Sequence, residues 1–138
     1  MPNEKAKIIL VDDHQFVIDG LLAIFKEEKM IEVIQTMNSG EELLRNLSKG
    51  NQPAVDLILM DVSLAYGRLD GIQTAERIKQ RYPNIKIIML TVNDDAETFK
   101  RAKRAGVDGY IPKIKGKRMI IDAVKKSLEG DYFVDFLN

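Results

Sequence analysis

Cysteine is absent from the 138 residues, and histidine occurs only once, at His14. Without thiols the chain can form no disulfide and carries no thiol nucleophile, and a cytoplasmic location is the default expectation. One imidazole without thiolates is also too few for the usual set of zinc ligands. The composition therefore excludes thiol catalysis and disfavours a zinc site.

The chain also lacks a net charge and a long apolar run. Lys and Arg together number 21, as do Asp and Glu, so the overall charge gives no reason to bind nucleic acid. No apolar stretch approaches the ~20 residues that cross a bilayer, and the first residues contain no signal-peptide core. Basic residues nonetheless cluster between 100 and 126, where their face is either solvated or docks a partner.

Short apolar runs alternate with helical patterns five times along the chain. Strand patterns cover 7–13, 32–37, 55–61, 86–91 and 108–112. Helical patterns cover 14–28, 39–50, 71–82, 94–106 and 116–129. Ser39 and Glu42 have the spacing of a capping box. The predicted inward face of the first helix consists of Val17, Ile18, Leu21, Leu22 and Phe25.

Five strand–helix repeats with short connections predict one α/β domain over residues 1–130. We expect a doubly wound (βα)5 flavodoxin-like fold with a parallel five-stranded sheet in the order 2-1-3-4-5. Residues 131–138 are an apolar tail that either docks on the domain or begins a linker to an output domain outside this chain.

Acidic residues stand where the predicted strands end. Asp12 and Asp13 end the first strand, and Asp61 ends the third. In the order 2-1-3-4-5 these strands are neighbours at the topological switch point, where such sheets bind ligands. Converging carboxylates repel one another unless protons or a cation compensate, and hard oxygen ligands suit Mg²⁺. We therefore expect a metal site, the alternative being that Asp12 and Asp13 merely cap the first helix.

Two further strand ends supply groups for phosphate chemistry. Thr91 ends the fourth strand with a hydroxyl, and Lys113 follows the fifth strand with an ammonium. A cation, a hydroxyl and a lysine around a carboxylate can stabilise charge on a phosphoryl group while the carboxylate attacks phosphorus. The predicted product is an aspartyl phosphate. The alternative is a structural hydroxyl and a solvated lysine.

Residues 6–129 resemble the response regulator receiver domains of two-component signalling. The resemblance is carried by four segments in this order and spacing: ILVDDH, LILMDV, IIMLTV and GYIPK. Among receivers, those of LuxR/NarL-type transcriptional regulators are the most similar. This likeness is carried by the segment VDDHQFVIDGL and by the residues around Lys113. The resemblance implies that Asp61 is the phosphoacceptor. It implies that Mg²⁺ or Mn²⁺ is held by Asp12, Asp13, Asp61 and the main-chain carbonyl of Ser63.

The resemblance also assigns roles around the acceptor. Thr91 and Lys113 are expected to contact the phosphoryl group, and Tyr110 is expected to change rotamer with Thr91. Otherwise Tyr110 is an edge aromatic with its hydroxyl in water. Ser63 and Asn93 are expected to flank the attacking water that removes the phosphoryl group.

The expected phosphodonor is a sensor histidine kinase or a phosphotransfer protein. The chain is expected to catalyse only its own phosphotransfer and dephosphorylation, and to form a homodimer through the fourth helix, fifth strand and fifth helix. No membrane contact and no direct binding to nucleic acid are expected, so transcription would be regulated through an output domain outside this chain. The alternative is a receiver-like interaction module that is never phosphorylated. A phosphatase acting on small substrates is disfavoured because there is no cap domain.

Three features depart from the family pattern. Ala65 stands where the family usually has proline, and Ile114 follows Lys113 in place of the commoner proline. The loop between Asp61 and the pair Asp70 and Gly71 is longer than usual. We expect the longer loop to alter how Mg²⁺ or a kinase reaches the site.

Overall fold

The computed structural model describes residues 4–50, 54–65, 67–92, 95–130 and 133–134. Its strands are β1 (Ala6–Val11), β2 (Ile31–Met37), β3 (Leu57–Asp61), β4 (Lys86–Thr91), β5 (Gly109–Pro112) and β6 (Phe133–Val134). Its helices are α1 (Gln15–Lys26), α2 (Gly40–Leu47), α3 (Gly71–Arg81), α4 (Ala96–Arg104) and α5 (Lys117–Leu128), with a short 3-10 helix at Lys113–Lys115. None of the helices in these ranges combines the length and apolarity needed to cross a bilayer.

The sheet has the strand order β2-β1-β3-β4-β5-β6, and every strand pair is parallel. The predicted α/β fold and its order 2-1-3-4-5 are therefore confirmed. The sixth strand, which the sequence did not predict, pairs Gly109 with Phe133 and Tyr110 with Val134. Two residues are too few to produce a recognisable strand pattern. The rest of the predicted tail lies outside the described residues.

The sheet separates two apolar clusters, one on each face. Alternate residues of β3 enter opposite clusters: Ile58 and Met60 face one side, and Leu57 and Leu59 face the other. This burial from both sides explains why the strand reads as a continuous apolar run. A close-packed core of this kind leaves the strand ends little freedom to move, which benefits any site built on them.

The boundaries of α2 and α4 follow local signals in the sequence, whereas the buried face of α1 differs from the prediction. Ser39 is the N-cap of α2, and its Oγ accepts a hydrogen bond from the Glu42 N–H at 3.1 Å. Gly106, with φ +87°, lies just beyond α4 as predicted. Leu22 was predicted to face inward but is 38% exposed, because the buried stripe of α1 is narrower and consists of Ile18, Leu21 and Phe25.

The N-terminus of α3 approaches the end of β3 at Gly71. The Gly71 N–H donates to the Val62 carbonyl at 2.8 Å. A Cβ at this position would overlap the main-chain carbonyl oxygen of Asp61. Asp70 caps the helix in a capping box with Gln73, which the D-x-x-Q spacing makes readable in the sequence. Glycine is therefore required here for the direct contact between α3 and the strand that carries Asp61.

Replacing Gly71 with alanine should destabilise the fold by about 1–3 kcal/mol, because Asp61 and α3 must separate to admit the methyl group. Gly20→Ala is the matched control: it lies inside α1, where a Cβ meets nothing within 4 Å. That substitution should stabilise the protein by about 0.5–1 kcal/mol, since alanine favours a helix. Urea unfolding followed by far-UV circular dichroism measures both changes, and equal effects of the two substitutions would contradict the close approach.

Candidate functional site at the carboxyl edge of the sheet

Four potential ligand side chains meet beyond the ends of β1 and β3. The pairing of Val11 with Met60 sets the two strand ends side by side, so Asp12 and Asp61 are neighbours. Asp12, Asp13, His14 and Asp61 each offer a ligand atom, and these atoms all lie within 4.8 Å of one another. Asp12 and Asp61 are each only 3% exposed. The convergence expected from the strand order is thus present in the structure.

Neither Asp12 nor Asp13, the two residues after β1, acts merely as the cap of α1. The N-cap residue is His14, and no side chain forms its cap hydrogen bond. Asp12 Oδ1 instead accepts the His14 N–H at 2.9 Å, which fixes the turn that leaves the strand. His14 was expected in the first turn of the helix but precedes it, with its Nδ1 3.0 Å from Asp13 Oδ1.

Lys113 brings a positive charge between two of the carboxylates. Its Nζ lies 3.0 Å from Asp12 Oδ2 and 3.3 Å from Asp61 Oδ2, and the side chain is 17% exposed. Burial alone disfavours the ammonium. The hydrogen bond to Asp12 and the charges of Asp61 and Asp12 outweigh it, and the pKa of Lys113 is raised. The ammonium therefore remains charged in the cluster.

Asp61 sits in an environment that disfavours its charged form. Burial raises the pKa of its carboxyl, and the negative charge of Asp12 raises it further. Lys113 and the Ser63 N–H oppose this rise, the latter by donating to Asp61 Oδ1 at 3.2 Å. The balance is a carboxylate that would gain from additional positive charge.

The acidic cluster has the donor chemistry of a site for a hard divalent cation. Asp13 Oδ2 accepts the Ala65 N–H at 2.9 Å. Asp13 Oδ1 is buried and accepts no hydrogen bond from the described residues, although the ring nitrogen His14 Nδ1 lies 3.0 Å from it. A buried carboxylate oxygen without a partner is costly, and coordination of a cation would remove that cost. The residues present therefore fit Mg²⁺ or Mn²⁺.

Thr91 and Tyr110 are both buried, and Thr91 lies on the strand next to Asp61. Asp61 pairs with Leu90, so Thr91 lies one residue further along the adjacent strand, and it is 2% exposed. Tyr110 is fully buried, with its ring 5.3 Å from that of Phe99 in an edge-to-face arrangement. The alternative of an edge tyrosine in water is wrong. No hydrogen bond to the Ser63 carbonyl is present among the described residues, and Asn93 lies outside them.

One contact at the site was missed in the sequence. The carboxylate of Glu41, on α2, accepts hydrogen bonds from the backbone N–H groups of Arg68 and Leu69 in the loop after β3. No local pattern indicates a pairing of residues so far apart, because it depends on how α2 and α3 pack.

Comparison with known proteins places this geometry in a family. The family model of the response regulator receiver domain matches residues 8–125. The response regulator protein VraR of Staphylococcus aureus is 37% identical over 125 residues, which are 91% of this chain and 57% of VraR. The transcriptional regulatory protein DegU of Brevibacillus brevis is 29% identical over 130 residues, which are 94% of this chain and 53% of DegU. The chain thus spans little more than half the length of these relatives.

Solved structures agree on the fold. The isolated receiver domain of RcsB from Salmonella enterica serovar Typhimurium, in the presence of phosphomimetic BeF3-, superposes with a TM-score of 0.83 at 22% identity. The match covers 96% of this chain and 94% of that one. The non-phosphorylated receiver domain of RcsB from Escherichia coli gives a TM-score of 0.82 at 23% identity, covering 96% and 99%. By the family match and the relatives, this chain belongs to the response regulator receiver domain family.

Proposed function

We propose that the chain is a phosphorylation-dependent switch in which Asp61 accepts a phosphoryl group in a Mg²⁺-dependent reaction. The observation that carries this proposal is the position of Lys113 Nζ, 3.0 Å from Asp12 and 3.3 Å from Asp61. An ammonium held there can bind the oxygens of a phosphoryl group that arrives at Asp61.

The roles of the remaining groups follow from their chemistry. Asp12, Asp13, Asp61 and the Ser63 carbonyl would hold the Mg²⁺ or Mn²⁺. The bound cation would supply positive charge to the acidic cluster and to the phosphoryl oxygens. The Asp61 carboxylate attacks phosphorus, the bond from phosphorus to the donor imidazole breaks, and the imidazole leaves with the bonding electrons. Thr91 and Lys113 stabilise the transferred group, and hydrolysis by water later restores the carboxylate.

The proposed donor is a phosphohistidine on a sensor histidine kinase or a phosphotransfer protein. Phosphorylation would shift Thr91, and Tyr110 with it, so that the surface of α4, β5 and α5 changes and a homodimer or another partner is favoured. Tyr110 packs on Phe99 of α4, which links the two elements physically. The family assignment supports a cytoplasmic location, where a kinase would meet this domain.

The output belongs to sequence outside this chain. DegU is by its name a transcriptional regulatory protein, and this chain corresponds to 53% of it. We propose that residues 1–130 form the receiver, to whose sheet β6 adds a sixth strand, and that the tail of residues 131–138 leads on to an output domain that regulates transcription. The receiver itself would contact neither nucleic acid nor membrane.

Incubation with acetyl phosphate should add the mass of one phosphoryl group to the chain in the presence of Mg²⁺, and none when EDTA is present. Asp61→Asn should abolish the gain because it removes the nucleophile. Asp122→Asn, which neutralises an exposed carboxylate on α5, should leave it unchanged. Intact-mass spectrometry measures all three proteins. Absence of any gain, followed by absence of transfer from a phosphorylated histidine kinase, would support the interaction module that is never phosphorylated.

Asp61→Asn should also stabilise the protein in EDTA at neutral pH. The raised pKa means that the folded state binds the Asp61 proton more tightly than the unfolded state does. The charged carboxylate therefore costs stability above its folded pKa, and this cost falls as the pH is lowered through that value.

Urea unfolding at pH 7.5 and at pH 5 measures the difference between Asp61→Asn and the native chain. The stabilisation should be larger at the higher pH, and Asp122→Asn should show little change at either. A variant that is less stable than the native chain at pH 7.5 would contradict the electrostatic account.

A further inference from the structure

The loop between β3 and α3 is held at two places by carboxylates from other elements. The Ala65 N–H donates to Asp13 Oδ2 at 2.9 Å. The N–H groups of Arg68 and Leu69 donate to Glu41 Oε2 at 2.7 and 3.0 Å. Asp13 of the acidic cluster therefore holds the first half of the loop, and Glu41 of α2 holds the second half.

Glu41 reaches the loop because α2 and α3 pack closely at their first turns. A Cβ at Gly40 would overlap the side chain of Thr74 on α3. The Thr74 hydroxyl donates to the Asp70 carbonyl at 2.8 Å, at the residue where the loop joins the helix. The carboxylate of Glu41 is thus fixed relative to the end of the loop that it binds.

The contact between Glu41 and the loop is closely fitted. Glu41 Oε1 is shielded from solvent and has no hydrogen-bond partner in the described part of the chain. A Cβ at Gly67 would overlap this oxygen. Hydrogen bonds from its own backbone N–H and from that of Arg68 hold the pKa of Glu41 below its usual value, so the side chain is charged at neutral pH.

From these contacts we infer that Glu41 is a positioning residue for the metal site, acting through the loop. This inference rests on the proposed function. Ser63 and Ala65 donate to Asp61 and Asp13, so the same short segment touches two of the carboxylates that would hold the cation. With its far half held by Glu41, the segment loses little further freedom when the cation binds. Without Glu41, the segment would become ordered only when the cation binds. The conformational entropy lost in that step would lower the affinity for the cation.

Glu41→Ala should therefore weaken the apparent affinity for Mg²⁺ by about tenfold, as outer-sphere substitutions commonly do. The rate of phosphorylation of Asp61 at saturating Mg²⁺ should change much less, because the reacting groups are intact. Glu41→Gln keeps one oxygen acceptor and should give an intermediate affinity. Glu76→Ala, which removes an exposed glutamate from α3, should match the native chain. Mg²⁺ binding to the unphosphorylated chain is measured directly by isothermal titration calorimetry, and phosphorylation by acetyl phosphate is followed by intact mass across the same Mg²⁺ series.

Gly67→Ala tests the same contact from the other side. Its Cβ should displace the Glu41 carboxylate and weaken Mg²⁺ affinity in the native background, yet have little effect when Glu41 is already alanine. Urea unfolding shows that each variant is folded at the assay temperature. Equal effects of Gly67→Ala in both backgrounds, or an unchanged Mg²⁺ dependence in Glu41→Ala, would overturn the role of Glu41 while the native chain is still phosphorylated. A native chain that takes up no phosphoryl group would overturn the proposed function and this inference together.

Discussion

At the carboxyl edge of the parallel sheet, Asp12 and Asp61 lie side by side, and the ammonium of Lys113 reduces the repulsion between them. Parallel strands deliver their carboxyl ends to one side, so Asp12 and Asp61 are brought into contact by backbone pairing alone. Both are almost fully buried, and burial together with mutual repulsion raises the pKa of Asp61. The ammonium of Lys113 offsets part of this cost. The negative charge of the site is therefore only partly compensated, which is the condition in which a bound cation makes the largest difference.

β3 and α3 together hold the carboxyl edge of the sheet in place. β3 is buried on both faces, and α3 rests on its end at Gly71, where no side chain fits. The hydrogen bond from the Gly71 N–H to the Val62 carbonyl joins the helix to the residue after Asp61. Because packed cores resist small displacements, moving β3 would cost more free energy than moving the loops or the outer elements.

Two of the contacts that involve α4 join it to β5 and to the start of α3. Tyr110 on β5 packs its ring against Phe99 on α4, and Arg101 on α4 lies 2.9 Å from Asp70 at the start of α3. Exposed ion pairs such as the latter are weak, so they can be rearranged at little cost. The loop after β3 is held more firmly, by Asp13 and Glu41. The loop beside the acidic cluster is therefore held by buried or shielded carboxylates, whereas α4 meets α3 through an exposed ion pair.

The sequence by itself determined the strands, their order and the acids at their ends, because hydrophobic periodicity and strand-end position are local signals that a parallel sheet converts directly into proximity. It also located Gly106 and Ser39 at helix ends, where the backbone requirement is local. It misjudged Leu22, since helical periodicity does not reveal how wide a face the sheet covers. Only the tertiary structure decided that Tyr110 is buried and that Glu41 meets the loop at Arg68 and Leu69. These contacts depend on how whole helices pack, and helix packing is set by the sum of many weak side-chain contacts that no short segment of sequence contains.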